Sequence, residues 1–236
     1  MKTFISWSGG KDSVLALYKT QQQGLPVQAL VTTMNTALQR ISMHGVRHVL
    51  LQQQAVALGL PLHTIELPEM PGMDSYENAV RQQHQQYAAK GFTRAVFGDI
   101  FLEDLKEYRE SLLAKDGLQA YFPLWKIDSK EVIRQFLAAG FKAIVVCVNT
   151  EQLNKGFCGR VMDESFFNDL PQGVDPCGEN GEYHSFVFDG PNFSKPVLFR
   201  KGEKVYKEYP APQNSDDCFT IPQPASGFYF CDLLPA

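Results

Sequence analysis

Residues 8–13 read Ser-Gly-Gly-Lys-Asp-Ser and follow a short apolar run, Phe4-Ile5-Ser6-Trp7. Two adjacent glycines let the backbone turn tightly and bring its N–H groups close to a ligand. Lys11 adds a positive charge, and Ser8 and Ser13 add hydroxyl donors. The residues after them, Val14 to Lys19, have the pattern of the first turns of a helix. A glycine loop between a strand and a helix N-terminus is an anion site, and the commonest such anion is a phosphate. Two familiar phosphate motifs are excluded. A Walker A loop needs Ser or Thr after Gly-Lys and a Gly at position 5, where this chain has Asp12 and Ile5. No G-x-G-x-x-G string is present either. Gly9 and Gly10 are thus expected to offer backbone donors, and Asp12 either binds magnesium or caps the helix.

A second dense patch runs from Val174 to Val187. Asp175, Glu179, Glu182, Asn180 and His184 lie close together there, punctuated by Gly178 and Gly181. The patch is either a solvated hairpin, since Asn-Gly is the usual two-residue turn signal, or a substrate or metal site facing the nucleotide. In the second case Glu179 and Glu182 hold magnesium, position an amine or act as a general base. Asn180 and Gly181 then orient a carboxylate or amide, and His184 donates to a phosphate or a developing oxyanion.

The elements that must position these groups alternate. Strand-like runs at Phe4–Trp7, Val27–Met34, Leu62–Leu67, Ala95–Phe97 and Lys142–Val148 are separated by helix-like runs. These helices begin at Lys11, Val46, Asp74, Glu103 and Ser129, the last behind a capping-box pattern, Asp128-Ser129-Lys130-Glu131. Strands separated by helices predict a parallel α/β sheet with helices on both faces, which binds ligands at the carboxyl ends of its strands. The loop at 8–13 follows the first strand. Thr32 and Thr33, at the end of the second, either present backbone to an adenine edge or are ordinary strand residues. Asp99, just past another strand end, is placed for the cleft. After residue 150 the alternation stops; strands are expected at Phe186–Phe188, Val197–Phe199 and Phe228–Leu234, a short helix at Asp163–Leu170, and a turn at Lys201-Gly202. Tyr209 to Gln223 has the composition of irregular surface chain, and Gln21–Gln23 and Gln52–Gln54 that of exposed helix surface.

Weaker candidates lie between these motifs. His44 and His48 have metal-ligand spacing if helical, but no third ligand is evident, so His44 is expected at the rim of the binding cleft, with Arg47 within reach of phosphate. Arg109, in Glu107-Tyr108-Arg109, is either a substrate contact or part of an intrahelical ionic face. Arg160, in a loop before a helix, is placed to reach phosphate or a substrate carboxylate.

Composition bounds the partners. The 236 residues carry a net charge of −4 and no cluster of five or more basic residues, which argues against a nucleic-acid surface. No apolar run approaches membrane-spanning length, and Met1-Lys2 leads straight into a strand, so a cytoplasmic protein with no membrane partner is expected. Five cysteines (147, 158, 177, 218 and 231), odd in number and without a C-x-x-C, fit a reducing compartment. Homo-oligomerisation stays open.

The 8–13 string resembles the pyrophosphate loop of the ATP pyrophosphatases. Taken with Gly98-Asp99-Ile100 through Glu107-Tyr108-Arg109, with Pro123-Leu124-Trp125 and with Asp175–Pro191, the chain resembles the diphthine–ammonia ligase family of that superfamily. The resemblance implies a Rossmann-like domain of the pyrophosphate-loop type over 1–125 and a smaller α+β substrate-binding subdomain over 126–236. It also implies cleavage of ATP to AMP and pyrophosphate with Mg2+, and amidation of a carboxylate on a modified histidine of elongation factor 2, which need not be the acceptor here. In that scheme Lys11 and the loop bind the leaving pyrophosphate, while Glu179, Asn180, Glu182 and His184 line the acceptor and ammonia side. Ammonia is expected from solution, since nothing in the chain resembles a glutaminase. Two rival readings are a non-catalytic ATP or AMP sensor, which has no use for the acidic 179–184 patch, and an RNA-thiolating enzyme, which calls for basic surface and paired cysteines.

Overall fold

The computed structural model describes residues 2–41, 44–68, 72–209 and 226–236. The N-terminal part runs β1 (Lys2–Ser6), α1 (Lys11–Gln22), β2 (Val27–Asn35), β3 (Arg40–Ile41), α2 (His48–Leu58), β4 (Leu62–Leu67), α3 (Met73–Ala89), β5 (Phe92–Val96), α4 (Glu103–Ala114) and β6 (Gln119–Tyr121). There follow α5 (Ser129–Ala138), β7 (Lys142–Asn149), α6 (Glu164–Asn168), β8 (Tyr183–Asp189), β9 (Phe199–Tyr209) and β10 (Ser226–Pro235).

Six strands form a mostly parallel sheet. β1 is central, with β2 and then β4 on one side and β5 and then β6 on the other, while β3 pairs antiparallel with the far end of β2. The chain therefore builds outward on one flank of β1 and then crosses to the other. Strand order reverses beside β1, where such sheets open a crevice at their carboxyl ends. Alternate residues of β1 feed opposite faces: Ile5 enters the core under α1 and α2, Phe4 the core under α3 and α4, and both are buried. A strand buried on both faces has apolar residues at consecutive positions rather than alternation.

Local chemistry sets the helix ends. Gly59 closes α2 in the left-handed region at φ 68°. Asp128 caps α5 by accepting from the N–H groups of Lys130 and Glu131. The return arm of that capping box does not form, because Glu131 turns to Arg134 and Gln135.

The second sheet is antiparallel, in the order β8-β7-β10-β9. Its buried residues Ile144, Val146 and Phe186 join Ile5, Leu17 and Leu50 in one continuous core. The parallel alternation thus ends earlier than the helix and strand periods implied: β7 belongs to this second sheet. β6, three residues long, has no signal of its own in the sequence. Lys201-Gly202 is no turn but lies inside β9, opposite the register shift between Cys231 and Leu233. Gln54 is not helix surface but fully buried. The expected strand at Phe228–Leu234 and short helix near 163–170 are present as β10 and α6. Most of Tyr209 to Gln223, with Cys218, lies outside the described residues. Among the described residues no helix is long and apolar enough to cross a membrane.

Candidate active site

The loop after β1 is a closed knot. Ser8 Oγ accepts from the Gly10 N–H at 3.2 Å and lies 3.1 Å from Ser13 Oγ, which donates to the Gly10 carbonyl at 3.0 Å. Gly9 has φ 75°, and a β-carbon there would stand 2.6 Å from Gln54 Oε1. A β-carbon on Gly10 would meet the Ser185 carbonyl at 3.0 Å and His44 Cε1 at 3.1 Å. Glycine is needed at both positions because other segments press directly on the loop.

Those segments come from far along the chain. The Lys11 N–H donates to Ser185 Oγ at 3.1 Å, and the Val187 N–H donates to the Gly9 carbonyl at 2.9 Å. Gln54 Nε2 bridges the Gly9 carbonyl (3.0 Å) and the Val187 carbonyl (2.6 Å), while Trp7 Nε1 donates to Gln54 Oε1 at 3.0 Å. The buried Lys11 ammonium donates to Asp12 Oδ2 at 2.9 Å and to the Cys177 carbonyl. Burial opposes its charge, but Asp12 and the neighbouring Tyr183 and Cys177 raise its pKa overall. The loop and the 175–185 segment are thereby joined at the mouth of one cleft.

The 175–182 segment is coiled by its own carboxylates. Asp175 Oδ2 accepts from the N–H groups of Cys177 (3.1 Å) and Glu179 (3.0 Å). Glu182, 1% exposed, accepts from the Asp175 N–H, the Asn180 N–H and Asn180 Nδ2 at 2.9, 2.9 and 3.1 Å. Gly178 has φ 68°, and a β-carbon there would stand 2.8 Å from the Tyr183 carbonyl. The Asn180-Gly181 pair turns within this coil, not at the tip of a hairpin. The Cys177 thiol donates to the Ser129 carbonyl at 3.4 Å, and burial pushes its pKa up, so it is a packed thiol and not a nucleophile.

The cleft encloses about 470 Å³. On its loop side stand Ser8, Lys11, Asp12 and Ser13, with Thr32 and Thr33 from the end of β2. The same cleft is lined by Asp99, Arg109, Glu179, Gly181, His44 and His184. Glu179 Oε1 accepts from the Ile100 N–H at 2.9 Å. Its pKa is raised to about 7, first by burial and then by Asp12 and Asp99, against the pull of the Ile100 N–H and Lys11. Burial also raises Asp12, despite Lys11 beside it, and Asp12 Oδ1 is buried without a hydrogen-bond partner. Asp99 is held by Arg109: Nε lies 2.9 Å from Oδ2 with its N–H directed off that line, and Nη2 donates to Oδ1 at 3.2 Å. The Arg109 guanidinium also stacks 4.5 Å from the Phe97 ring.

His44 and His184 face each other with ring centroids 4.5 Å apart, and His44 Nδ1 lies 3.3 Å from the Ser185 carbonyl. Each keeps some solvent exposure yet is walled by protein. Burial, with Lys11 nearby, lowers His44 to about 4; burial, His44 and Lys11 hold His184 well below its ordinary value. Both are neutral at pH 7. Deeper in, between the sheet and helices α3 and α4, the cleft becomes apolar, walled by Phe4, Ile65, Tyr76, Val80 and Leu105. Thr32 Oγ1, His84 Nδ1 and Tyr108 Oη are buried there without partners.

Not every sequence candidate reaches the cleft. Glu182 and Asn180 are spent on each other and on the coil behind it. Gly9 and Gly10 form the buried floor of the loop, and the Gly10 N–H is already taken by Ser8. Arg160 does not come to the cleft; it pairs with Asp169 at 2.9 Å and Ser165 Oγ at 3.3 Å. Arg47 is bound to Asp232 rather than free for phosphate. His44 precedes α2 instead of lying on it, so it shares no helical face with His48, whose Nε2 is 2.8 Å from Thr64 Oγ1. Gln54, His84 and the Ser185 clamp are site residues beyond those the sequence motifs single out; Ser185 stands within the acidic motif, whereas nothing local marks Gln54 or His84.

Among the described residues no group of three or more His, Cys, Asp or Glu side chains is arranged to hold a metal ion. A magnesium ion that arrives with phosphate oxygens and water needs no such cage, and the unpartnered Asp12 Oδ1 fits that lesser role.

Comparison with known proteins gives one family. The diphthamide synthase N-terminal domain matches residues 1–120, and the diphthamide synthase C-terminal domain matches residues 128–211. A diphthine–ammonia ligase of Danio rerio is 26% identical over 233 residues, covering 90% of this chain and 89% of that protein. The Homo sapiens diphthine–ammonia ligase is 24% identical over 220 residues, 84% of this chain and 82% of that protein. The one from Schizosaccharomyces pombe is 24% identical over 224 residues, 87% of this chain but 37% of its own length.

Proposed function

This chain belongs to the diphthamide synthase family, and from that premise we propose that it is an ATP-dependent ligase that converts a carboxylate to an amide with ammonia. Residues 1–125 carry most of the nucleotide side of the reaction and 126–236 supply Glu179 on the acceptor side, with Arg109 and His184 crossing that division. The observation that carries this reading is the closure of two distant segments, 8–13 and 175–185, on one cleft, through Lys11 N–H to Ser185 and Gly9 to Val187.

In the first step an acceptor carboxylate oxygen bonds to the α-phosphorus of ATP and the bond from that phosphorus to the β-phosphate oxygen breaks. The leaving pyrophosphate takes donors from Ser8 and from the N–H groups of Asp12 and Ser13 in the first turn of α1, where the helix dipole favours negative charge. Lys11 balances charge beneath the loop, the neutral His184 donates N–H to a phosphate oxygen without competing for a proton, and His44, whose one proton lies on Nδ1 toward the Ser185 carbonyl, walls the loop above Gly10. Asp12 Oδ1 would hold Mg2+, which when bound neutralises the triphosphate. The adenine edge meets backbone at Thr32 and Thr33, with the apolar chamber receiving the uncharged part of a bound ligand.

In the second step ammonia bonds to the acyl carbon, the bond from that carbon to the phosphate oxygen breaks, and AMP leaves. The nitrogen must shed a proton. Glu179, with its pKa raised to about 7 and Asp12 and Asp99 beside it, orients the ammonia and takes that one proton. Asp99 fixes Arg109 at the cleft wall, where its guanidinium meets the acceptor carboxylate.

Incubation with ATP, Mg2+ and ammonium, with and without cell extract as a source of acceptor, tests this by 31P NMR. AMP and pyrophosphate in equal amounts, rising with extract, are expected. ADP and phosphate as products, or tight ATP binding with no turnover in either mixture, would contradict it.

A further inference from the structure

We propose that Asp232, on the last strand of the chain, is a positioning residue that holds the His44 segment over the pyrophosphate loop. This rests on the proposed role of His44 as the wall over the phosphate loop. In the segment from Arg40 to Arg47 the described residues have little structure of their own. Its described residues make one two-residue strand, a Gly45 N–H to Ile41 carbonyl bond at 3.0 Å and an Ile41 N–H to Val46 carbonyl bond at 2.9 Å. It begins and ends with an arginine, and the two stand opposite each other as a bridge pair. Two guanidinium groups at that spacing repel unless an anion sits between them.

Asp232 is that anion. Arg47 grips it through both oxygens, Nε to Oδ1 at 3.0 Å and Nη2 to Oδ2 at 2.7 Å. Arg40 Nη1 donates to Oδ1 at 2.9 Å and also to the Gly45 carbonyl at 2.6 Å, directly after His44. One carboxylate thus ties both ends of the segment. The same strand packs on the segment's middle: Gly45 has φ 67°, and a β-carbon there would stand 2.8 Å from the Phe230 ring. Bidentate arginine pairs add geometric constraint as well as energy. Burial works against the charge on Asp232, but the bonds from Arg47 and Arg40 outweigh it and keep the carboxyl below its ordinary range.

Among the described residues, His44 is anchored by a 3.3 Å contact with the Ser185 carbonyl and by the face of His184, both weak. The titratable groups that face it are His184 from β8 and Lys11 from α1. With the segment loosened, His44 moves into water and loses its place above Gly10.

The test compares the full-length wild type with Asp232→Asn, which keeps the shape and removes the charge. Histidine Cε1–H resonances are titrated by NMR from pH 4 to 8, with thermal melts, affinity for α,β-methylene-ATP and AMP formation measured alongside. In the wild type His44 is expected to stay neutral above pH 5. In Asp232→Asn its midpoint should move up by about one pH unit or more, while His63 and His84 do not change. AMP formation should fall at least tenfold with analogue affinity within about threefold, and Asp232→Glu should restore most of it. If Asp232→Asn does not fold, Arg47→Gln carries the same readouts. An unchanged His44 titration in a folded variant would overturn the proposal. Absence of AMP formation by the wild type would sink the ligase reading instead, and the titration would still report on Asp232.

Discussion

Glu179 and Glu182 are three positions apart in one acidic segment, and the fold gives them opposite work. Glu182 spends its carboxylate on donors within its own coil, while Glu179 keeps one oxygen on Ile100 and faces the cleft. Acting as a base, Glu179 works when ionised, so turnover should climb as pH rises through about 7. Glu179→Gln should lose that limb and about 10²–10⁴ in kcat, with ATP affinity little changed; a pH–rate profile of both proteins decides it. Glu182→Ala should behave differently. It strands three donors, so chemical denaturation should record a loss on the order of 3 kcal/mol, with ATP affinity and turnover falling together. Composition alone marks this segment as chemical but treats its carboxylates as equals, because which N–H groups each one meets is decided by the coil. Gln54 shows the same limit: a run of three glutamines has the look of surface, yet one of them is the bridge between the loop and β8.

At the scale of elements, the site depends on how closely β5 approaches the start of α1. A β-carbon on Gly98 would stand 2.8 Å from the Asp12 carbonyl carbon and 3.0 Å from the Ser13 nitrogen. Those atoms are backbone and cannot swing aside. Gly98→Ala should therefore push the first turn of α1 away, at a cost of about 1–3 kcal/mol, and weaken ATP binding more than Gly140→Ala; calorimetric titration with ATP checks the difference. A β-carbon on Gly140 would meet open space, though its φ of 85° makes alanine there strained as well. The alternation of elements up to β5, apart from the two-residue β3, could be seen in the chain because the strands carry short apolar runs and most helices end at a glycine. Membership of β7 in the second sheet could not, since six consecutive buried residues look the same in a parallel strand and in a shared core. Strand order, and with it the crevice beside β1, is a property of pairing between distant segments.

For the whole molecule, burial dominates the titration of the histidines. All five have lowered pKa values, with His44 and His84 near 4 and His184 well below its ordinary value. A group whose folded pKa is depressed leaves the unfolded chain to bind protons first, so stability is lost as pH falls from about 6.5 toward 4. Glu179, raised by burial to about 7, acts in the opposite sense as pH falls from about 7 to 4.5, and Asp12, also raised by burial, acts in that sense above its ordinary range. They are fewer than the histidines, so the melting temperature should be highest near neutral pH and fall between pH 6.5 and 4.5. Scanning calorimetry across that range checks the sign. The low net charge spreads no strong field, so this acid sensitivity comes from particular buried groups rather than general repulsion.

The account turns on a contact between chain segments 174 residues apart. Hydrogen exchange read by mass spectrometry, with and without α,β-methylene-ATP and Mg2+, measures it directly. Amides of residues 8–13 and of 177–185 should become protected together, at the same ligand concentration. Protection confined to the first segment, with the second exchanging as in the free protein, would contradict a shared nucleotide cleft.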